Sequence, residues 1–89
     1  MRIDSSGNLL VGTTDNTPEN NNGGSASLDD GIALTAGGRI NAAKYESSAS
    51  AGAVMRLNRT GTDGTIAQFR KNGSTVGSIG SEASGLIIG

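Results

Sequence analysis

Eight carboxylates carry most of the acid–base chemistry open to this sequence, because it has no His and no Cys. Without His there is no Ser-His-Asp triad and no imidazole metal ligand. Without Cys there is no thiolate nucleophile, disulfide framework or Cys-based metal site. Asp63 with Glu82, or Asp4 with Asp30, can be written as the acid and base of a glycosidase at a subunit boundary. Such sites sit in clefts with aromatic platforms for sugar, and the chain has one Tyr and one Phe. Asp63 precedes Gly64 and reads first as a turn residue. Asp29-Asp30-Gly31 supplies oxygens that suit a hard cation. It lacks the spaced acidic loop of a Ca²⁺ site and reads as a tight turn. The sequence therefore assigns no catalytic residue, metal or cofactor.

Contact with a partner is the other chemistry on offer. Residues 1–53 hold 3 basic and 6 acidic groups, and residues 54–89 hold 4 basic and 2 acidic groups. Arg56, Arg59, Arg70 and Lys71 form a basic set that can meet an anionic cell-surface glycan or an acidic protein. The plainer reading makes them outward strand positions that keep edges soluble. Tyr45, alone between Lys44 and Glu46, is either a contact anchor or a cap on an apolar core. Asn58-Arg59-Thr60 and Asn72-Gly73-Ser74 match the N-glycosylation pattern, as chance allows in a chain so rich in Asn, Ser and Thr. A net charge of −1 and a pI near 5.1 argue against a nucleic-acid partner. No apolar run reaches the length of a membrane span, and the first residues lack the apolar stretch of a signal peptide.

The elements that position these residues are short. Apolar runs end at Gly, Asn, Asp or Ser, and none keeps a helical period for three turns. Strands are expected over residues 1–4, 9–12, 31–36, 39–44, 54–59, 65–71, 74–80 and 85–88. Hairpin chemistry joins them at Ser5-Ser6-Gly7-Asn8, Ala36-Gly37-Gly38, Thr60-Gly61-Thr62-Asp63-Gly64 and Lys71-Asn72-Gly73. Met1 with Ile3, Ile32 with Leu34, Ile40 with Ala42, and Met55 with Leu57 lie two apart and share faces. Arg2, Arg56 and Asn58 point the other way. Ile66 and Phe69 have opposite parity, so residues 65–71 are covered on both sides or carry a bulge.

Three regions follow: a hairpin over residues 1–12, a polar linker loop over 13–27 and a β-rich segment over 28–89. The linker has no large apolar residue and holds the only Pro. It is expected to drape over the surface. Residues 46–53 make a shorter connector, capable at most of a weak helical turn.

Gly, Ser, Thr and Asn fill 42 of 89 positions, while Leu, Ile, Val and Phe fill 17. Ordering costs roughly 1.5 kcal/mol per residue, which so few bulky side chains do not offset in a lone copy. Charge is nonetheless low at 17%, unlike a disordered chain. The composition points to burial against other copies.

Two phrases carry a family resemblance. The stretch Met1-Arg2-Ile3-Asp4-Ser5-Ser6-Gly7-Asn8-Leu9-Leu10-Val11-Gly12-Thr13 resembles the "RIDSSGNVGIGT" phrase of tailed-phage tail fibres. Arg56 to Thr65, followed by Phe69-Arg70-Lys71-Asn72-Gly73-Ser74-Thr75-Val76-Gly77-Ser78-Ile79-Gly80, resembles a second phrase of the same proteins. Residues 14–53 carry no such likeness. The resemblance implies an all-β, elongated, intertwined homotrimeric fibre or β-prism-like assembly on a virion, extracellular after release. Its partners would be other copies of itself, other tail or capsid proteins, and a host cell-surface glycan. Many such fibres end in a chaperone domain that is cleaved off, and these 89 residues hold none. Around a three-fold axis, Ile3, Ile32, Leu34, Ile40, Met55 and Leu57 are the expected trimer core. A receptor-binding fibre tip and a capsid-decorating β protein are the alternative roles.

Overall fold

The computed structural model describes residues 1–89. Seven strands form two antiparallel sheets, with one helical turn and one 3₁₀ turn. The chain makes two compact units, Met1–Val54 and Met55–Gly89.

In the first unit, β1 (Arg2–Ile3), β2 (Leu9–Val11), β3 (Gly31–Leu34) and β4 (Ile40–Ala43) lie in sequence order. The β1–β2 turn is organised by Asp4. Its carboxylate accepts the N–H of Ser6 at 2.9 Å and of Asn8 at 3.0 Å, and Gly7 takes φ +85°. The Asn8 amide donates to Asp4 Oδ2 at 2.9 Å, and its Oδ1 accepts the Ala36 N–H at 2.9 Å. Asn8 is buried, so these bonds replace the water it loses. The Asp-Ser-Ser-Gly-Asn phrase thus closes its own hairpin and fastens it to the β3–β4 turn. In that turn Gly38 donates to the Thr35 carbonyl and Arg39 to Thr35 Oγ1.

The polar segment between β2 and β3 corrects the sequence reading. It does not link separate modules, because β2 and β3 pair directly: Leu9 with Leu34, Leu10 with Ala33 and Val11 with Ile32. It also contributes a buried side chain. Pro18 opens a 3₁₀ turn over Pro18–Asn20 and is fully buried. Pro suits that first position, since its ring presets φ and its missing N–H would be unpaired there anyway. Asn41 Nδ2 donates to the Asn16 carbonyl at 3.3 Å. A Cβ on Gly31 would stand 2.5 Å from the Thr13 side chain, so only Gly lets the segment lie this close to β3. A one-turn helix α1 (Ala26–Asp29) follows. Asp29 is buried, and its carboxylate accepts the N–H groups of Gly23 and Gly24. Residues 46–53 form bends, with Ala51 donating to the Ser48 carbonyl, and no helix.

In the second unit, β5 (Gly64–Lys71), β6 (Ser74–Glu82) and β7 (Gly85–Ile88) form a meander. Asn72 (φ +51°) and Gly73 (φ +84°) make the two-residue β5–β6 turn expected of Asn-Gly. The register slips at Ile66 and again at Val76. Strict alternation does not run through a slip, which is why Ile66 and Phe69 clash in parity. The β6–β7 turn is Ala83 (φ +50°) and Ser84 (φ +70°), residues that disfavour this backbone region. Asp63 Oδ2 accepts the Ala83 N–H at 3.1 Å and helps hold it there. Replacing the pair together, Ala83→Asn with Ser84→Gly, should stabilise this sheet by about 1 kcal/mol. A raised melting temperature is the expected readout; a lowered one would mean that the turn stores no strain.

Residues 54–59 form no strand, against the sequence expectation. Their alternation is strand-like, but an extended segment needs a hydrogen-bonded neighbour, and no strand of the chain pairs with it. Without a strand, alternation does not place Met55 and Leu57 on a common inward face. Both are exposed.

Candidate functional site

The first sheet has two unlike faces. Arg2, Leu10, Ala33 and Asn41 oppose one another across the four strands and share one face. That face lies under the segment holding Pro18. Besides the Pro18 ring, Leu10 (1% exposed) and Ala33 (0%) are the only buried apolar side chains in the protein.

The opposite face is open. Ile3, Leu9, Leu34 and Ile40 form one continuous line across the four strands. Val11, Ile32 and Ala42 form the next. Every strand position on this face is apolar. Leu9 is half-buried, and the exposure of the other large side chains runs from 39% at Leu34 to 80% at Ile40. Four of the six expected core residues, Ile3, Ile32, Leu34 and Ile40, thus stand together on a face that a single copy leaves in water. Leu9 and Val11 belong with them, and alternation around Leu10 was the signal that could have named them.

The basic set is dispersed in role. Arg59 is not a free contact group: its guanidinium donates to the carbonyls of Thr62 and Thr65 and to Thr62 Oγ1, closing the loop before β5. Arg70 donates to Gln68 Oε1 at 2.8 Å and stays exposed. Arg56 and Lys71 are exposed. Tyr45 is half-buried, and its N–H donates to Asp30 Oδ1 at 2.6 Å.

The carboxylates act as turn and strand-end fasteners. Asp63 Oδ1 accepts from Ser81 Oγ, and its other oxygen holds Ala83. A shallow cavity of about 360 Å³ beside it is lined by Thr65, Ser78, Ser81, Glu82 and Ile87 among others. Asp30 pairs with Lys44 Nζ at 3.1 Å, and Lys44 also meets Glu46 at 2.9 Å. Asp4 is committed to its own turn. No three acidic side chains converge as metal ligands would.

These bonds shift proton affinities. The main-chain N–H of Asn8, then its side-chain amide, holds Asp4 below its ordinary 3.8. The N–H of Thr17 does the same for Asp15, and that of Tyr45, with Lys44, for Asp30. Glu46 and then Asp30 raise Lys44 above 10.5. A lowered carboxyl stabilises the fold above its unfolded value and loses that contribution as pH falls through the folded one. A raised Lys contributes fully below its unfolded value and loses it as pH rises. Stability of the first unit should therefore be flat through neutrality, fall below pH 3.8 and fall again above pH 10.5. Thermal melts across pH check this. Rising stability between about pH 4 and pH 2 would contradict the acid limb.

No protein-family model matches the chain, and neither a curated protein nor a solved structure matches it.

Proposed function

We propose that the chain is a structural, non-enzymatic segment of a phage tail fibre that works as a homotrimer. The observation that carries this reading is the open face of the first sheet, wholly apolar at its strand positions while the other face is sealed by the chain's own loop. Three copies placing that face toward a common axis would make a β-prism-like core from Ile3, Ile32, Leu34 and Ile40, with Leu9 and Val11. The loop holding Pro18 would then form the outer wall. The copy number and the virion setting come from the two fibre-like phrases. The phrase at residues 1–13 supports the reading further, because Asp4 and Asn8 close the first hairpin and tie it to the β3–β4 turn, which fixes the edge of the open face.

The partners in this reading are further copies and neighbouring tail or capsid proteins. A host glycan is a second partner class, and exposed Arg56, Arg70 and Lys71 are the groups that would meet it. Immunogold labelling of virions with an antibody to the chain tests the setting. Label on the fibres is expected. Label on the capsid would favour the decorating role, and virions without label would overturn the proposal.

A further inference from the structure

Two of the eight Asn residues precede Gly: Asn22 and Asn72. Asn is a thermolabile residue, and the residue after it governs how fast it is lost. The main-chain nitrogen that follows an Asn can attack the side-chain amide carbon and close a five-membered imide. Gly, with no Cβ, obstructs that approach least. Both Asn residues are exposed, yet the fold treats them differently.

Gly23 is held. Its N–H donates to Asp29 Oδ1, and the N–H of Gly24 donates to Oδ2 at 2.9 Å. The nitrogen attacks only after it loses its proton, and the negative charge left on it would face that carboxylate. The space is closed as well. A Cβ on Gly23 would stand 2.6 Å from Leu28 Cβ and 3.1 Å from Asp29 Oδ1.

Gly73 is free. It lies at the tip of the β5–β6 hairpin, between the paired residues Lys71 and Ser74, and its N–H donates to no group of the chain. Nothing stands within 4 Å of the place a Gly73 Cβ would take. Asn72 at φ +51° and Gly73 at φ +84° match a type I′ turn. Ring closure needs the Gly73 nitrogen eclipsed with Asn72 Cβ, a ψ of about −120°, which is the value at the first central residue of a type II′ turn. Rotating the plane of the Asn72–Gly73 peptide bond converts the first turn into the second. Asn72 keeps its positive φ, and Gly73 moves to negative φ, which Gly accepts. Both turns close a two-residue hairpin, so the reactive shape is reached with the β5–β6 ladder intact.

We infer that Asn72 is a site of spontaneous modification, converted to aspartate and isoaspartate through Gly73, while the Asp29 clamp spares Asn22. Solvent base takes the Gly73 amide proton. The Gly73 nitrogen bonds to Asn72 Cγ, the Cγ–Nδ2 bond breaks, and Nδ2 takes up a proton and leaves as ammonia. Water then opens the imide. Cleavage at Cγ gives aspartate, and cleavage at the main-chain carbonyl gives isoaspartate. No oxidation or reduction is involved. Isoaspartate routes the main chain through Cβ and lengthens the turn by a methylene, so Lys71 and Ser74 lose their register. The site belongs to the second unit's own turn and is independent of the fibre reading.

The full chain is held in mildly alkaline buffer, sampled over weeks and digested. Mass spectrometry reads the amide-to-acid mass gain, fragmentation assigns the residue, and chromatography separates the isoaspartyl peptide. Asn72 should convert at least about tenfold faster than Asn22, because a bond to a charged acceptor keeps its donor closed by about that factor or more. Equal rates, a faster Asn22 or an Asn72 that does not convert would overturn the inference. A parallel sample in denaturant separates fold from sequence. There the two rates should converge, since both residues precede Gly. A gap of the same size in denaturant would show that neighbouring sequence sets the difference, and would overturn the role given to the turn and the clamp.

Discussion

Placing a carboxylate at position 32 should dissolve the proposed trimer. Ile32 sits in the second apolar line of the open face, opposite Val11 on one side and Ala42 on the other. Ile32→Asp puts three unpaired charges into one desolvated core. Each costs several kcal/mol, on the order of 10 kcal/mol per assembly. Every 1.4 kcal/mol is about a factor of ten in the association constant, so dissociation at micromolar concentration is expected. Thr14→Asp, on the exposed part of the loop, should cost about 0.5 kcal/mol or less. Light scattering on the two variants decides it. An Ile32→Asp variant that keeps the trimer mass would show that this face lies in water.

Leu10→Ala should have the largest effect on the packing within each copy. Leu10 is the one large aliphatic side chain the chain buries fully. Truncation should cost about 2–5 kcal/mol. The whole stability expected for 89 residues is only about 4–13 kcal/mol. The first unit should therefore lose most of its cooperative melt. Pro18 and Ala33, the other fully buried residues around it, cannot refill the space. A melting curve within about a degree of the parent would mean that the loop does not seal the sheet.

The sequence made the strands legible wherever turn chemistry and alternation agreed. Asn72-Gly73 predicted its hairpin because both residues accept positive φ, and the bulge near Ile66 showed as a parity conflict. Ile32 with Leu34 and Ile40 with Ala42 were paired correctly, and the register joins both pairs into one face. What stayed hidden was tertiary. Ala83 and Ser84 give no turn signal, since Asp63, twenty residues earlier, supplies the holding bond to Ala83. Residues 13–27 looked inert because they lack large aliphatic side chains, yet one Pro ring and the Asp29 bonds to Gly23 and Gly24 dock them. Residues 54–59 alternate like a strand and find no strand to pair with. Alternation reports what a segment can bury, and pairing decides whether it becomes a strand. Arg59 read as a surface contact because spacing does not reveal that a long side chain will turn back onto Thr62 and Thr65.

Sedimentation equilibrium of the full chain at micromolar concentration tests the central claim most directly. Burial of the open apolar face among copies, at the copy number of the fibre reading, predicts one folded species at three times the 8.8 kDa chain mass. A folded, cooperatively melting species at 8.8 kDa would contradict it.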